Sequence, residues 1–392
     1  MPKGFFISLP SISINNTLIP VINKIASANY EILFYNTYSP NVEGKVIFKS
    51  YPHYSGGYNN DCINSSTSYY QLTEKLVDTA FSLLNYLMKE VEKEKPDFIL
   101  HPHLGLWGKI LASYYNLPAI MLSTTFVMEK EIMLPYFKKE QKGRQVDFMN
   151  ILSAMQFYKK GAILCKKLNL HHNLDIWDAH VNKEALNLSF ILREFQPGIG
   201  MLGQQYKFLG YPLPVTRTVV SEDLIYISLG TILNKNVEFY KLCIGLLSKS
   251  KINTVLAIGH KIDVQSLGEI PKNITVASFV DQIEILKRTT LFITSGGMGS
   301  VNESIHTLTP MIVIPQTIEQ RITAQRIEEL GIGIKLGKNL TEMELQQGIT
   351  HMFKNNLHFY ENLSALTSGI STVPSEDLAL NHVSTFLKSK LN

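Results

Sequence analysis

The stretch that decides the fold is Leu291-Phe-Ile-Thr-Ser-Gly-Gly-Met-Gly-Ser-Val-Asn-Glu303. It predicts a short apolar strand, a Gly-Gly turn and the start of a helix. Glycines let the backbone approach a ligand closely, and the first N–H groups of a helix point outward with the positive end of its dipole behind them. This geometry favours a bound phosphate. A second strand end with polar residues follows at Pro315-Gln-Thr-Ile-Glu-Gln320, and the two together suggest a nucleotide-sugar site.

Apolar strands alternate with helical segments in two series along the chain, and such alternation predicts parallel βαβ units. The first series begins at residues 5–9, and the second begins at residues 224–230 and includes the motif above. We therefore expect an α/β protein with two Rossmann-like, doubly wound domains that face each other across a cleft. Ligands of such sheets bind beyond the carboxyl ends of the strands.

The predicted domains are residues 1–214 and 222–370. Residues 128–185 are helical in pattern and lack strand signals, so they are expected to form an insertion in the first domain. A last helix, within 371–392, is expected to cross back to the first domain, with Ser375 after Pro374 as its N-cap.

The composition is that of a globular protein, with 45% hydrophobic and 18% charged residues among 392. The net charge of +4 is slight and its basic residues look scattered, which argues against a nucleic-acid partner and leaves only a mild attraction to anionic membranes. Cys62, Cys165 and Cys243 lie far apart, so no disulfide framework and no metal site is expected. The lack of a disulfide framework favours a reducing cytoplasm. No apolar run approaches the ~18 residues of a transmembrane helix, and Pro10 ends the first one early, so a first buried strand is expected there and not a signal peptide.

Four motifs follow one another in the second half: Ile227-Ser-Leu-Gly-Thr231, Phe279-Val-Asp-Gln282, Ser295-Gly-Gly-Met-Gly-Ser300 and Glu319-Gln320. In this order and spacing they resemble the motifs of the macrolide and UDP-glycosyltransferase family. The resemblance implies the two-domain GT-B fold and a transfer that inverts the anomeric carbon. It also implies a UDP-sugar as co-substrate, with no further cofactor.

The resemblance assigns donor contacts to ten residues of the second half. They are Ser228 and Thr231 at the diphosphate, Phe279 on uracil, Gln282 on base or ribose, Ser295, Gly297 and Ser300 at phosphate, Glu303 on ribose, and Glu319 with Gln320 on the sugar. Alternatives remain open for several: a capped βα turn for Ser228 and Thr231, core packing for Phe279, and a solvated helix face for Glu303. The chain also departs from the family at Asp281, Ser295 and Gly299, where the family has Pro, His and Asn.

The acceptor half lacks the family's proton-abstracting pair. Ile14 stands where the family has its catalytic His, and Pro102 where it has the Asp that orients that His. An isoleucine cannot accept a proton, so either the acceptor ionises by itself or another base serves. His103 is the best candidate for such a base and His101 the next, each with a hydrogen-bonded loop histidine as the alternative.

Other polar residues of this half are weaker candidates. Asn15 and Asn16 could bind the acceptor or cap a helix. His53 and Asp61 lie in a Tyr-rich loop expected to shape the acceptor pocket, and His171-His172 is more plausibly a solvated pair than a metal site.

The leading hypothesis is a glycosyltransferase that moves a hexose from a UDP-sugar to a small, largely apolar, natural-product-like acceptor without the usual His base. The loss of that His and its Asp motivates an alternative, a catalytically inactive relative that binds a nucleotide sugar and acts as partner or regulator. A third hypothesis keeps the fold but couples the sugar at nitrogen or carbon. The sequence leaves the oligomeric state open, and a homodimer is compatible with it.

Overall fold

The computed structural model describes residues 1–52, 68–141, 148–170, 173–216, 223–230 and 236–391. They fall into two compact units. The first unit holds the residues up to Pro212 together with those from Ser371 onward, and the second runs from Leu213 to Ile370. Within the described ranges, no helix combines the length and the apolar character needed to cross a bilayer.

The first unit is built on a parallel sheet of seven strands. They are β1 (Lys3–Ile7), β2 (Glu31–Asn36), β3 (Val46–Ser50), β4 (Phe98–Pro102), β5 (Ala119–Ser123), β6 (Leu186–Ser189) and β7 (Tyr206–Phe208). Their spatial order is β3-β2-β1-β4-β5-β6-β7, so the winding reverses between β1 and β4. The carboxyl ends of these two strands border the crevice where a doubly wound sheet binds ligands.

Six helices of the described residues connect these strands. They are α1 (Ile12–Ser27), α2 (Tyr69–Glu94), α3 (Leu106–Tyr115), α4 (Lys130–Gln141), α5 (Phe148–Lys167) and α6 (Asp178–Val181). Helix α2 begins in a capping box, in which Ser68 accepts the Gln71 N–H and the Gln71 side chain accepts the Ser68 N–H. Helix α5 packs along α2, and Lys160 bonds to Asp78 at 2.5 Å between them.

The second unit repeats the same topology with six parallel strands. They are β8 (Leu224–Ser228), β9 (Asn253–Ala257), β10 (Ile274–Ala277), β11 (Leu291–Thr294), β12 (Met311–Val313) and β13 (Gly333–Lys335), in the order β10-β9-β8-β11-β12-β13. The reversal lies between β8 and β11. Side chains of β8 and β11 are buried on both faces, as expected for a parallel sheet covered by helices on either side.

The helices of the second unit are α7 (Val237–Leu247), α8 (Gln282–Leu286), α9 (Met298–His306), α10 (Ile318–Glu329), α11 (Glu342–Lys354) and α12 (Asn356–Thr367). The last helix, α13 (Ser375–Leu391), belongs to the first unit and lies against α1, where Lys24 and Asp377 form an ion pair at 2.5 Å. The predicted α/β class and the two doubly wound sheets are confirmed.

Candidate functional site

The reversal point of the second sheet brings together two of the predicted motifs. Ser228 at the end of β8 is paired in register with Thr294 at the end of β11. The turns that follow the two strands are therefore neighbours, although more than sixty residues separate them in the chain. This is where the topology predicts a ligand.

The turn after β11 depends on one glycine for its shape. Gly296 has a φ of 83°, and a Cβ built there would lie 2.6 Å from Val313 Cγ1. Side chains are therefore excluded both by the left-handed backbone and by the lack of space. Gly297 is different: it is the N-cap of α9 with a φ of −63°, and no described atom lies within 4 Å of the position that a Cβ would take there.

The space above the first turn of α9 is open at Gly299 as well as at Gly297. Among the described residues, no side chain caps this helix terminus. Backbone N–H groups at a helix start favour an anion. The geometry thus leaves room for the phosphate that the sequence predicts at Gly297 and Ser300, and that role stays a prediction.

Gln282 is the centre of a hydrogen-bonded network beside this turn. Its amide nitrogen donates to Ser300 Oγ at 3.0 Å and to Glu303 Oε2 at 2.5 Å. Its amide oxygen accepts the Tyr226 hydroxyl at 3.0 Å. Burial raises the pKa of Tyr226, so this phenol stays protonated and donates at neutral pH. The network brings three predicted donor residues together and fixes the orientation of the Gln282 amide.

Phe279 is 77% exposed. The alternative of core packing is therefore wrong, and the ring is available for the stacking on uracil that stays predicted for it. Next to it, Asp281 caps α8 by accepting the Glu284 N–H at 3.1 Å. The carboxylate thus has a structural role at the position where the resemblance expects a proline. The Asp-x-x-Glu spacing is a helix-start signature that the sequence already contains.

Ser295 does not present its hydroxyl to the open turn. The side chain is buried, donates to the Leu229 carbonyl at 3.1 Å and accepts from Gln320 Nε2 at 3.3 Å. Its hydrogen is used within the protein, which corrects the expectation that Ser295 donates to phosphate. A hydroxyl carries a single hydrogen, and the carbonyl already takes it.

Gln320 and Ser228 also take part in local structure. The Gln320 amide oxygen accepts the N–H groups of Gln316 and Thr317, and it closes the capping box of α10. An amide nitrogen carries two hydrogens. One hydrogen of Gln320 Nε2 bonds to Ser295, so the other can still be donated to a sugar hydroxyl.

Ser228 is buried and accepts the Gly230 N–H at 3.4 Å, as in the capped turn considered for it. Glu319 is exposed in the first turn of α10, and Thr231 lies outside the described residues.

The acceptor-side residues of the first βα turn are structural. Ile14 is buried inside α1. This helix begins at Ile12 with Ser11 as its N-cap, so Asn15 and Asn16 do not cap it.

Asn15 is fully buried; its amide donates to the Leu9 carbonyl at 2.9 Å and to the Tyr38 hydroxyl at 2.8 Å. The expectation of an acceptor contact from Asn15 is corrected, since its hydrogens hold the turn together.

His101 is a buried structural residue. Its Nε2 lies 3.1 Å from Glu184 Oε1, and its Nδ1 lies 3.1 Å from the Pro102 carbonyl. Burial raises the pKa of Glu184, but the hydrogen bond from His101 and the charge of Lys109 outweigh it and hold that pKa below its usual value. Both ring nitrogens of His101 are thus engaged, and the side chain is 0% exposed, so it cannot reach an acceptor.

His103 lies directly after β4, at the reversal point of the first sheet. It is buried, and its Nδ1 has no hydrogen-bond partner among the described residues. Burial, with a smaller contribution from His101, lowers the pKa of His103 to about 4. The ring is therefore neutral at pH 7 and is a weak base, because catalytic bases work best with a pKa near the operating pH.

Sequence reasoning missed a second buried histidine near His103. His180 Nε2 lies 2.7 Å from Thr73 Oγ1, and its ring stacks on Tyr69 with centroids 3.7 Å apart. Burial, reinforced by His103, lowers the pKa of His180 to about 3. No sequence signal marks the contact of His180 with Thr73 and Tyr69, because α6 and α2 are about a hundred residues apart in the chain.

The structure does not describe four other polar residues that the sequence analysis considered, namely His53, Asp61, His171 and His172.

The chain is similar in sequence to known glycosyltransferases. Residues 247–376 match the family model described as "Erythromycin biosynthesis protein CIII-like, C-terminal domain". The chain is 30% identical to the NDP-glycosyltransferase YjiC of Bacillus subtilis, over 70% of this chain and 69% of that protein. It is 27% identical to the uncharacterized UDP-glucosyltransferase YojK of the same species, over 100% and 98% of the two chains.

Solved structures share the fold over nearly the whole chain. The glycotransferase of kitacinnamycin has a TM-score of 0.81 at 22% identity, with 99% of this chain and 100% of that one covered. The calicheamicin glycosyltransferase CalG4 has a TM-score of 0.81 at 18% identity, with 99% and 98% covered. The predicted GT-B fold is thereby confirmed.

The two glycines of the turn should respond differently to alanine. We expect Gly296→Ala to lower the free energy of unfolding by about 2–4 kcal/mol, because the new Cβ meets Val313 and the backbone is left-handed. Gly297→Ala should leave stability within about 1 kcal/mol, because its Cβ position is open. Urea denaturation measures both. Equal destabilisation by the two substitutions would contradict this account of the turn.

The buried histidines predict that the fold weakens in acid. The unfolded chain binds a proton at His103 near pH 6.5, whereas the folded chain excludes it until about pH 4. Stability from this residue is therefore complete above about pH 6.5 and is lost as the pH falls from there through about 4. We expect His103→Gln to remove about 2 kcal/mol of the stability loss between pH 7 and pH 5.

Urea denaturation at the two pH values measures this difference. His260→Gln is the matched control, because it removes an exposed histidine of the second unit and leaves the buried histidines in place. A pH dependence that is the same in wild type and His103→Gln would show that this imidazole is protonated as readily in the folded chain as in the unfolded one.

Proposed function

Because this chain belongs to the NDP-glycosyltransferase family, we propose that it moves a hexose from a UDP-sugar to a small, largely apolar acceptor. The chain is a glycosyltransferase of GT-B fold. The observation that carries the proposal is the open turn at the start of α9, beside which Gln282, Ser300 and Glu303 form one network. Groups suited to phosphate and ribose thus lie together beside this reversal point, and Phe279, three residues before Gln282, is the group proposed for the base.

The donor is proposed to bind along this network. The N–H groups at Gly297 and Ser300 are aligned with the start of α9, where the helix dipole favours the diphosphate. Glu303 accepts two ribose hydroxyls, which a carboxylate does well. The exposed ring of Phe279 stacks on the base. Glu319, exposed in the first turn of α10, accepts hydroxyls of the hexose.

The reaction is a single displacement at the anomeric carbon. The acceptor oxygen forms a bond to that carbon while the bond to the diphosphate oxygen breaks, and UDP leaves with the electron pair. The leaving charge develops at the start of α9, where backbone N–H groups already point at it. Since Ser295 is bonded within the protein, it adds neither a hydrogen bond nor a positive charge to this step.

None of the described residues considered as the base is suited to take the acceptor's proton. Ile14 is apolar, His101 is bonded through both ring nitrogens, and the pKa of His103 is lowered to about 4. General base catalysis is typically worth about 10²–10⁴ in rate, so an alcohol that needs it would react slowly. We therefore propose acceptors that ionise near neutral pH, such as acidic phenols, carboxylates or hydroxamates.

Three further expectations belong to this proposal. Displacement at an anomeric carbon involves no oxidation, so the UDP-sugar is the co-substrate and no other cofactor is needed. We propose a cytoplasmic location, where UDP-sugars are available. The oligomeric state is left open between a monomer and a homodimer, and nucleic acid is not proposed as a partner.

A transfer assay with matched variants tests the mechanism. UDP-glucose is offered with a series of phenols of graded acidity, and product is measured by mass spectrometry. We expect kcat/KM to rise with acceptor acidity. Glu319→Ala should lower kcat/KM by about 10–100-fold, because the hexose loses its charged hydrogen-bond acceptor. His103→Gln should change kcat/KM less than about threefold.

The control variant is Glu342→Ala, an exposed glutamate on α11 that should leave kcat/KM unchanged. A loss of about 10²-fold or more in His103→Gln, with the fold intact, would identify His103 as the base instead. Tight UDP-glucose binding by calorimetry without transfer to any acceptor would favour the inactive relative.

A further inference from the structure

Helix α5 exposes a row of large apolar side chains. Phe148, Ile151, Met155 and Tyr158 are spaced as i, i+3, i+7 and i+10, which places them on one face of the helix. They are 68%, 45%, 62% and 47% exposed. Six of the eighteen large apolar side chains exposed among the described residues lie in α5, the other two of the six being Met149 and Ile163. A concentration of this kind marks an interaction surface.

The opposite face of α5 is already used. Phe157, Gly161 and Leu164 are buried there, where the helix packs along α2. The ion pair between Lys160 and Asp78 also joins this face of α5 to α2. Folding of the first unit therefore explains the buried face of α5 and leaves the exposed apolar row unexplained.

Positive charge is concentrated in the part of the sequence that contains this row. Residues 138–167 contain eight basic and two acidic side chains, a net charge of +6 against +4 for the whole chain, so the remainder of the chain is net −2. Helix α5 itself has no acidic residue. Lys138 and Lys139 are exposed at the end of α4, and Lys159 and Lys166 are exposed in the second half of α5. The expectation that the basic residues are scattered is therefore corrected.

We propose that the exposed face of α5, together with the end of α4, binds the surface of an anionic phospholipid bilayer. The first half of α5 inserts its apolar row at the boundary between headgroups and acyl chains, and the lysines contact lipid phosphates. Apolar side chains on one face of a helix that carries lysines and no acidic residue of its own are typical of helices that lie in a membrane interface. One acidic side chain contacts the row, Asp175, whose carboxylate accepts the Tyr158 hydroxyl at 3.4 Å at the far end of the row from Phe148. Long lysine stems also cover apolar surface while their charges stay in water.

A second copy of the chain is a poorer occupant of this face. A symmetric dimer places the same patch on both subunits, so the exposed lysines of α4 and α5 on one subunit would face those of the other. Like charges at such a distance repel, and the repulsion is strongest at low salt. An anionic lipid surface attracts these lysines instead of repelling them, and its acyl chains can bury the side chains of Phe148 and Met155. The helix is already held by α2, so binding does not have to pay for folding it.

Vesicle flotation tests this proposal without any sugar donor, so its result is independent of the transfer reaction. The full-length protein is mixed with phosphatidylcholine vesicles with or without phosphatidylglycerol. We expect binding to the anionic vesicles only, and a decrease as salt is raised. Ile151→Ser/Met155→Ser should lower the partition coefficient by about tenfold or more, and Lys159→Gln/Lys166→Gln by about 25-fold, since each lysine near the surface is worth about fivefold.

Two variants serve as matched controls. Met343→Ser/Leu357→Ser removes similarly exposed apolar side chains in the second unit, and Lys272→Gln/Lys354→Gln removes two exposed lysines there. Both should bind like wild type, and circular dichroism confirms that all variants are folded. Failure of wild type to bind anionic vesicles would overturn the proposal. So would binding that the α5 variants leave unchanged, or a dimer by light scattering that those variants dissociate.

Discussion

The turns of the candidate site are joined by the hydrogen bonds of the buried Ser295 hydroxyl, which connect the segments that follow β8, β11 and β12. This one side chain links Leu229 after β8 with Gln320 at the start of α10, and it lies itself at the end of β11. The parallel pairing of β8 with β11 brings the segments into range, and the buried hydroxyl fixes them. Gly296 gives the open turn at α9 its shape, and the Ser295 hydrogen bonds hold the segments beside it.

The same topology in the first unit leads to different chemistry. Its reversal point also has polar residues, but the side chains of Asn15 in α1 and His101 in β4 already form hydrogen bonds within the protein. His103 keeps a ring nitrogen without a partner among the described residues, and its pKa is lowered by the same burial. Burial thus keeps His103 neutral at pH 7, and His101 is a structural residue because both of its ring nitrogens have partners. The proposed transfer accordingly rests on the donor half and on acceptors that ionise by themselves.

The proposed membrane surface and the proposed acceptor class are chemically related. Small, largely apolar acceptors concentrate in and near bilayers, and α5 belongs to the unit that the family resemblance assigns to the acceptor. A weak, salt-dependent attachment would keep the protein near such compounds without anchoring it permanently. The two proposals remain separable, because lipid binding involves α4 and α5 whereas transfer depends on residues of the second unit.

The sequence by itself determined the two doubly wound sheets and the motifs at the end of β11, because βα alternation, glycine turns and strand-end hydroxyls are local patterns. It also contained the Asp281 helix-start signature. Only the tertiary structure decided that Phe279 is exposed, that Ser295 and Asn15 bond within the protein, and that His101 meets Glu184. The physical reason is that the burial of a side chain and its hydrogen-bond partners are set by segments distant in the chain. A residue's type limits which bonds it can make, and the fold decides which of them it makes.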